Sequence, residues 1–184
     1  MSESYTSLLM HELNQAAAHI KQEQLDALAR LILQAPKVLA AGAGRSGLMM
    51  RALVMRLMHL GIPAYVVGET VTPSFTAGDV LLIGSGSGET ASLLAAAQKA
   101  KKLGGVIGVI TLKPQSSIGL LADYTIQLSG STKDAGSEQG QTIQPMGSLF
   151  EQTLLIVLDG IILSLMDKQG MDSQAMYTRH ANLE

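Results

Sequence analysis

Residues 37–48 read KVLAAGAGRSGL. A short apolar run enters a turn with glycines at positions 42, 44 and 47, and an apolar pattern of helical period leaves it, RSGLMMRALVMRLMHLG, closed by Gly61. That is a strand, a tight turn and a helix, the opening of a βα unit. The three glycines have the G-x-G-x-x-G spacing of a dinucleotide-binding turn. Glu69 ends the next predicted strand about 20 residues beyond Gly47, where an acidic residue would take a ribose 2′-hydroxyl.

Downstream the alternation continues: strand AYVVG, a loop with Thr70, Thr72 and Pro73, strand DVLLIG, the turn GSGSGET at 84–90, helix ASLLAAAQKAKKLGG, and strands VIGVIT and YTIQLS. Five strands, apolar on both sides and alternating with helices, predict an α/β fold whose parallel sheet is covered on both faces. Upstream, residues 5–34 carry leucines and isoleucines at helical spacing with a polar break at KQEQ, one or two amphipathic helices ended by Pro36. They form an N-terminal helical arm, 1–35, on a core of residues 36–184, within a single domain. The last helix, LFEQTLLIVLDGIILSLMDKQG, is apolar around most of its surface and belongs in the core or against another subunit. Between the last strand and that helix, residues 130–148 are polar and glycine-rich, the character of a functional or mobile loop.

The turn GSGSGET decides between ligands. Two successive strand–turn–helix cradles at the carboxyl ends of a parallel sheet can converge on one anion, with backbone N–H groups freed by glycine and hydroxyls from Ser46, Ser85, Ser87 and Thr90. A chain of 184 residues leaves little room for a second mononucleotide half and a substrate domain. One phosphate on a small molecule therefore suits the pair better than a pyrophosphate. The competing reading is that Ser46, Ser87 and Thr90 only cap or begin helices.

Composition narrows the class. With 47% hydrophobic residues, 15% charged and a net charge of -2, the chain has a core to bury and no cationic field for nucleic acid or anionic lipid. It has no cysteine, so disulfides, thiolate metal sites and a cysteine nucleophile are excluded. The first residues lack the pattern of a secretory signal, and the run TLLIVLDGIILSLM reads as too short to span a bilayer. The expectation is a soluble cytoplasmic protein. The apolar last helix and the helical arm predict self-association.

With both serine-bearing turns placed, the chain resembles the sugar isomerase (SIS) domain family, and within it the 6-phospho-3-hexuloisomerase branch. GAGRSG, RLMHLG, YVVGETVTP, GSGSGET, QPMGSLFEQ, LDG and the terminal RHANLE occur in that order and spacing over residues 36–184. The resemblance implies a three-layer αβα sandwich with a five-stranded parallel sheet, a flavodoxin-like arrangement, and a homotetramer with sites near subunit boundaries. It implies interconversion of D-arabino-hex-3-ulose 6-phosphate and D-fructose 6-phosphate in formaldehyde fixation by the ribulose monophosphate pathway, with hexulose-phosphate synthase as the neighbouring enzyme. No metal or other cofactor is implied. Gly84 departs from the pattern, which leads one to expect Ala or a β-branched residue there.

Moving a carbonyl from C3 to C2 needs a base at carbon and a means of moving protons between oxygens. Ser148 and Glu151 by themselves form an S-x-x-E capping box; the resemblance makes Glu151 the base instead. It likewise makes His180, a titratable imidazole near the chain end, the partner that moves protons between sugar oxygens or opens the furanose ring. Gly44 and Arg45 flank the first turn, and Arg45 can pair with the phosphoryl group or form an intersubunit ion pair. Glu69 is a candidate for the sugar hydroxyls, Glu89 favours a helix N-terminus, and His59 reads as packing in the core or at a subunit contact. Two other functions use the same cradles: a non-catalytic sugar-phosphate sensor, and another phosphosugar aldose–ketose isomerase such as one acting on arabinose 5-phosphate.

Overall fold

A computed structural model describes residues 4–130 and 142–183. Strands β1 (Val38–Gly42), β2 (Ala64–Val66), β3 (Val80–Gly84), β4 (Val106–Thr111) and β5 (Tyr124–Gln127) form one sheet in the order β2-β1-β3-β4-β5. Every neighbouring pair is parallel. The fold is therefore the expected αβα sandwich, and its helices are α1 (Tyr5–Ala17), α2 (Gln22–Gln34), α3 (Gly44–His59), α4 (Ala91–Lys102), α5 (Ser148–Gln169) and α6 (Ser173–Tyr177).

Strand alternation sorts the core. Val38, Ala40, Val80 and Leu82 face one layer with Leu28 and Ile32 of α2, Met50, Leu53 and Leu57 of α3, and Leu154, Val157 and Ile161 of α5. Their sequence neighbours Leu39, Ala41, Leu81 and Ile83 face the other layer, where Leu93, Ala97 and Ala100 of α4 and Ile118 cover them. The polar break at KQEQ separates α1 from α2, and α1 packs on α5. Helix α5 is long and apolar enough to cross a bilayer by length and composition, contrary to the expectation that its apolar run is too short. More than half of that apolar window is buried inside the protein, with Leu154, Leu158 and Leu165 at 0–1% exposure, so α5 is a core helix of the sandwich.

The glycine turn is a packing device. A Cβ on Gly47 would lie 2.6 Å from the Gly42 carbonyl oxygen, and one on Gly42 would lie 2.9 Å from Gly47 Cα. The two glycines let α3 leave β1 at backbone contact, while Gly44, at φ +56, makes the turn. The departure at Gly84 has the same cause, since a Cβ there would meet Met50 Sδ at 2.8 Å and Leu154 Cδ2 at 2.9 Å. At the opposite end of the sheet the fully buried Asp79 pairs with Lys37 at 2.8 Å and accepts the Thr76 N–H at 2.6 Å. Burial acts to raise the Asp79 pKa, but Lys37 and the Thr76 donors outweigh it and hold the carboxyl below its ordinary value.

Gly47→Ala should force α3 off β1 and destabilise the fold by about 1–3 kcal/mol, the usual cost of overpacking. Urea titration checks this; an unchanged midpoint would show that the close approach is not required.

Candidate active site

The chain runs outward from β1 to β2 and, in the other direction, from β3 to β4, so the topological switch lies between β1 and β3, paired through Gly42 and Gly84. In open α/β sheets ligands bind at the carboxyl ends beside such a switch. A cavity of about 180 Å³ opens there. Ala43, Gly44 and Ser46 line it from the first turn, Ser85, Ser87 and Thr90 from the second, and Gly147, Phe150 and Glu151 from the start of α5. Leu93 and Leu112 close its apolar side.

Three helices, α3, α4 and α5, therefore begin at one cavity. Their N-cap residues are Ala43, Thr90 and Gly147, and none makes a side-chain cap hydrogen bond. Away from the cavity, α1 is capped by Ser4 and α6 by Asp172, each side chain accepting a first-turn N–H. First-turn N–H groups have no intrahelical partner, so the cavity gathers the positive ends of three dipoles. Ser46 and Thr90 do stand at helix starts, as the competing reading has it, but no side-chain cap hydrogen bond forms there. Ser46 lies inside α3 rather than at its cap, and Thr90 stands at the N-cap without bonding α4. Ser85 Oγ accepts the Gly88 N–H at 3.1 Å and Ser87 Oγ the Glu89 N–H at 3.2 Å, bonds that shape the second turn and leave each hydroxyl a proton to donate.

Glu151 sits on the cavity wall at 3% exposure. The helix starts one residue earlier than a capping box requires: Gly147 is the N-cap, Ser148 the first helical residue, and Glu151 falls beyond the third position. No capping box forms. Arg45 Nη1 instead donates to Ser148 Oγ at 2.8 Å and to Glu151 Oε2 at 3.0 Å. Arg45 is thus engaged within its own chain, and its guanidinium holds the carboxylate in place rather than lining the cavity. The entry to α5 is bent by Met146 at φ +56, a left-handed conformation uncommon for a non-glycine residue.

Two expected site residues lie elsewhere. Glu69 is exposed beyond the end of β2 and paired with Arg51; it is not in the cavity, and the dinucleotide reading loses its ribose contact. His180 stacks on His59 at the far end of α3. With 16 residues in α3 at about 1.5 Å each, that is roughly 22 Å from the cavity. Glu89 immediately precedes Thr90, the N-cap of α4, where an acidic residue favours the dipole. Its carboxylate accepts the Ser117 N–H at 2.8 Å, a bond that holds its pKa below the ordinary value. Most of the 130–145 loop lies outside the described residues. Sequence reasoning missed Phe150, Leu93 and Leu112; Leu112 follows the carboxyl end of β4, the position where the switch-point rule points.

Residues 31–158 match the SIS domain model. The chain belongs to the SIS domain family. It is 52% identical over 180 residues to the 3-hexulose-6-phosphate isomerase of Bacillus subtilis, covering 98% of this chain and 97% of that one. It is 44% identical to the enzyme of the same name from Mycobacterium gastri, over 97% and 89%. Among solved structures, MJ1247 from Methanococcus jannaschii, whose structure was used to infer a 3-hexulose-6-phosphate isomerase function, superposes with a TM-score of 0.84 at 35% identity over 97% of this chain and 98% of that one.

Ser87→Ala combined with Thr90→Val should weaken binding of inorganic phosphate, read by 31P NMR line broadening, by roughly tenfold or more, about 1.4 kcal/mol for lost hydroxyl donors. Unaltered binding would separate the hydroxyls from the anion.

Proposed function

We propose that the protein is a 3-hexulose-6-phosphate isomerase, interconverting D-arabino-hex-3-ulose 6-phosphate and D-fructose 6-phosphate through a 2,3-enediol. The observation that carries this is the cavity itself, where three uncapped helix N-termini and four hydroxyls surround one space with a buried carboxylate on its wall. The phosphoryl group is received by Gly44, Ser46, Ser85, Ser87 and Thr90, whose N–H groups and hydroxyls donate to it. That leaves the sugar carbons toward Glu151.

Glu151 removes the proton from C2 as the C3 oxygen gains one, giving the enediol. It then returns a proton to C3 as the C2 oxygen loses one, and fructose 6-phosphate results. Arg45 acts through Glu151 by fixing its position. A second group has to carry the proton between the two oxygens. His180 fits that chemistry, and because it lies far from its own cavity it serves the site of a second copy of the chain. Self-association is supported by exposed Leu48, Met55 and Met58 along α3 and by Ile156 and Leu163 one heptad apart on α5. A homotetramer in the cytoplasm, acting after hexulose-phosphate synthase in formaldehyde fixation, accords with this reading.

In deuterated water with fructose 6-phosphate and no added cofactor, the protein should exchange the hydrogen on C3 and form the 3-ketose, both followed by NMR. Glu151→Gln should bind the sugar yet lose roughly 10²–10⁴ in rate. Exchange at C1 with an aldose product would point to an aldose–ketose isomerase, and binding without exchange in the unaltered protein to a sensor. Hybrid oligomers of Glu151→Gln and His180→Ala chains, each inactive alone, should regain turnover; hybrids without activity would return His180 to its own chain's site or remove it.

A further inference from the structure

Near the end of a chain, side chains fray unless something ties them. Here both residues of the Arg179–His180 pair are fastened to one residue, His59, in the last turn of α3. Arg179 Nη1 donates to the His59 carbonyl oxygen at 3.2 Å. Its guanidinium lies over Gly61, where a Cβ would meet Arg179 Cζ at 3.1 Å. The His180 ring stacks on the His59 ring with centroids 5.5 Å apart and planes 13° from parallel, and Tyr177 of α6 stacks on His180 at 5.8 Å.

The hydrogen bonds fix both tautomers. Arg56 Nη1 lies 3.3 Å from His59 Nδ1, and since a guanidinium can only donate, Nδ1 accepts and the His59 proton is on Nε2. His59 is only 4% exposed and neutral; burial, followed by Arg56 and His180, lowers its pKa. His180 Nδ1 lies 2.9 Å from the Ala181 carbonyl oxygen, which can only accept, so Nδ1 carries a proton and Nε2 is left as the nitrogen that exchanges protons. Ile162, Met166 and Met176 surround this cluster. An aliphatic side chain would fill such a place; the flat ring is what the stack requires.

We propose that His59 is a positioning residue for His180: a buried, neutral imidazole that serves as the platform on which the His180 ring is held flat, with its Nε2 available for proton transfer in the site of a second copy. This rests on the reading of His180 as the group that moves protons between the sugar oxygens.

The full-length oligomer is compared as His59→Leu, which fills the volume without a flat ring, His59→Phe, which restores the ring, His180→Ala, and the His59→Leu/His180→Ala double variant. His59→Leu should lower kcat by about 10²-fold, the cost of misplacing a reacting group by about 1 Å, with KM unchanged, and His59→Phe should recover most of that loss. The double variant should be no slower than His180→Ala. The Cε1–H resonance of His180, assigned by its disappearance in His180→Ala, should shift in His59→Leu as the ring current is lost. Wild-type kcat in His59→Leu beside an impaired His180→Ala overturns the platform alone. A double variant slower than His180→Ala, or a Phe variant no better than Leu, does the same, and a fully active His180→Ala overturns both readings. Should His59→Leu not assemble, the resonance in His59→Phe decides: a His180 signal at its random-coil position contradicts the stack.

Discussion

The site depends on the parallel pairing of β1 with β3. Parallel strands put all their carboxyl ends on one edge, and a strand order that reverses direction between two neighbours leaves a crevice there that no crossover fills. The pairing of Gly42 with Gly84 brings the two glycine turns side by side at that crevice, and the contact between Gly42 and Gly47 lets α3 start immediately above its strand. From these constraints the rest of the cavity follows: the first turns of α3 and α4 can only point inward, and α5, packed against α3, brings its own first turn to the same place.

That convergence has a stability cost. Helices α1 and α6 satisfy first-turn donors with Ser4 and Asp172, whereas α2 and the three at the cavity have no side-chain cap bond. A cap is worth about 1 kcal/mol, so three omissions at one spot amount to a local concession for binding an anion. Arg45 shows a second concession. A cation at a helix N-terminus opposes the dipole, and here it is held by Ser148 and by Glu151, whose carboxylate is buried beside apolar Phe150 and Leu93.

The role proposed for His180 ties assembly to the chemistry. A group about 22 Å from the cavity of its own chain can contribute to a site only through a neighbour, and the exposed apolar stripes on α3 and α5 offer the surfaces for one. His180 is tied to α3 by stacking on His59, and its neighbour Arg179 by a hydrogen bond to the His59 carbonyl, so the proposed proton carrier is held in place.

Periodicity located the five strands and helices α3 to α5 and left α1 and α2 as one or two helices, because parallel strands buried on both faces and amphipathic helices write their periods directly into the chain; the pair of phosphate-type turns came from the spacing of glycines and hydroxyls. Periodicity missed α6, whose five residues are too few for a period to register, and the S-x-x-E spacing of Ser148 and Glu151 did not distinguish a capping box from a helix whose N-cap is Gly147. Glu69 stands at the spacing of a ribose ligand and yet is taken up by Arg51. Which of the polar residues share a cavity was decided by the strand order, the close approach at the glycines and the packing of α5: spacing along a chain constrains neighbours within an element, whereas groups from different elements meet only where packing brings those elements together.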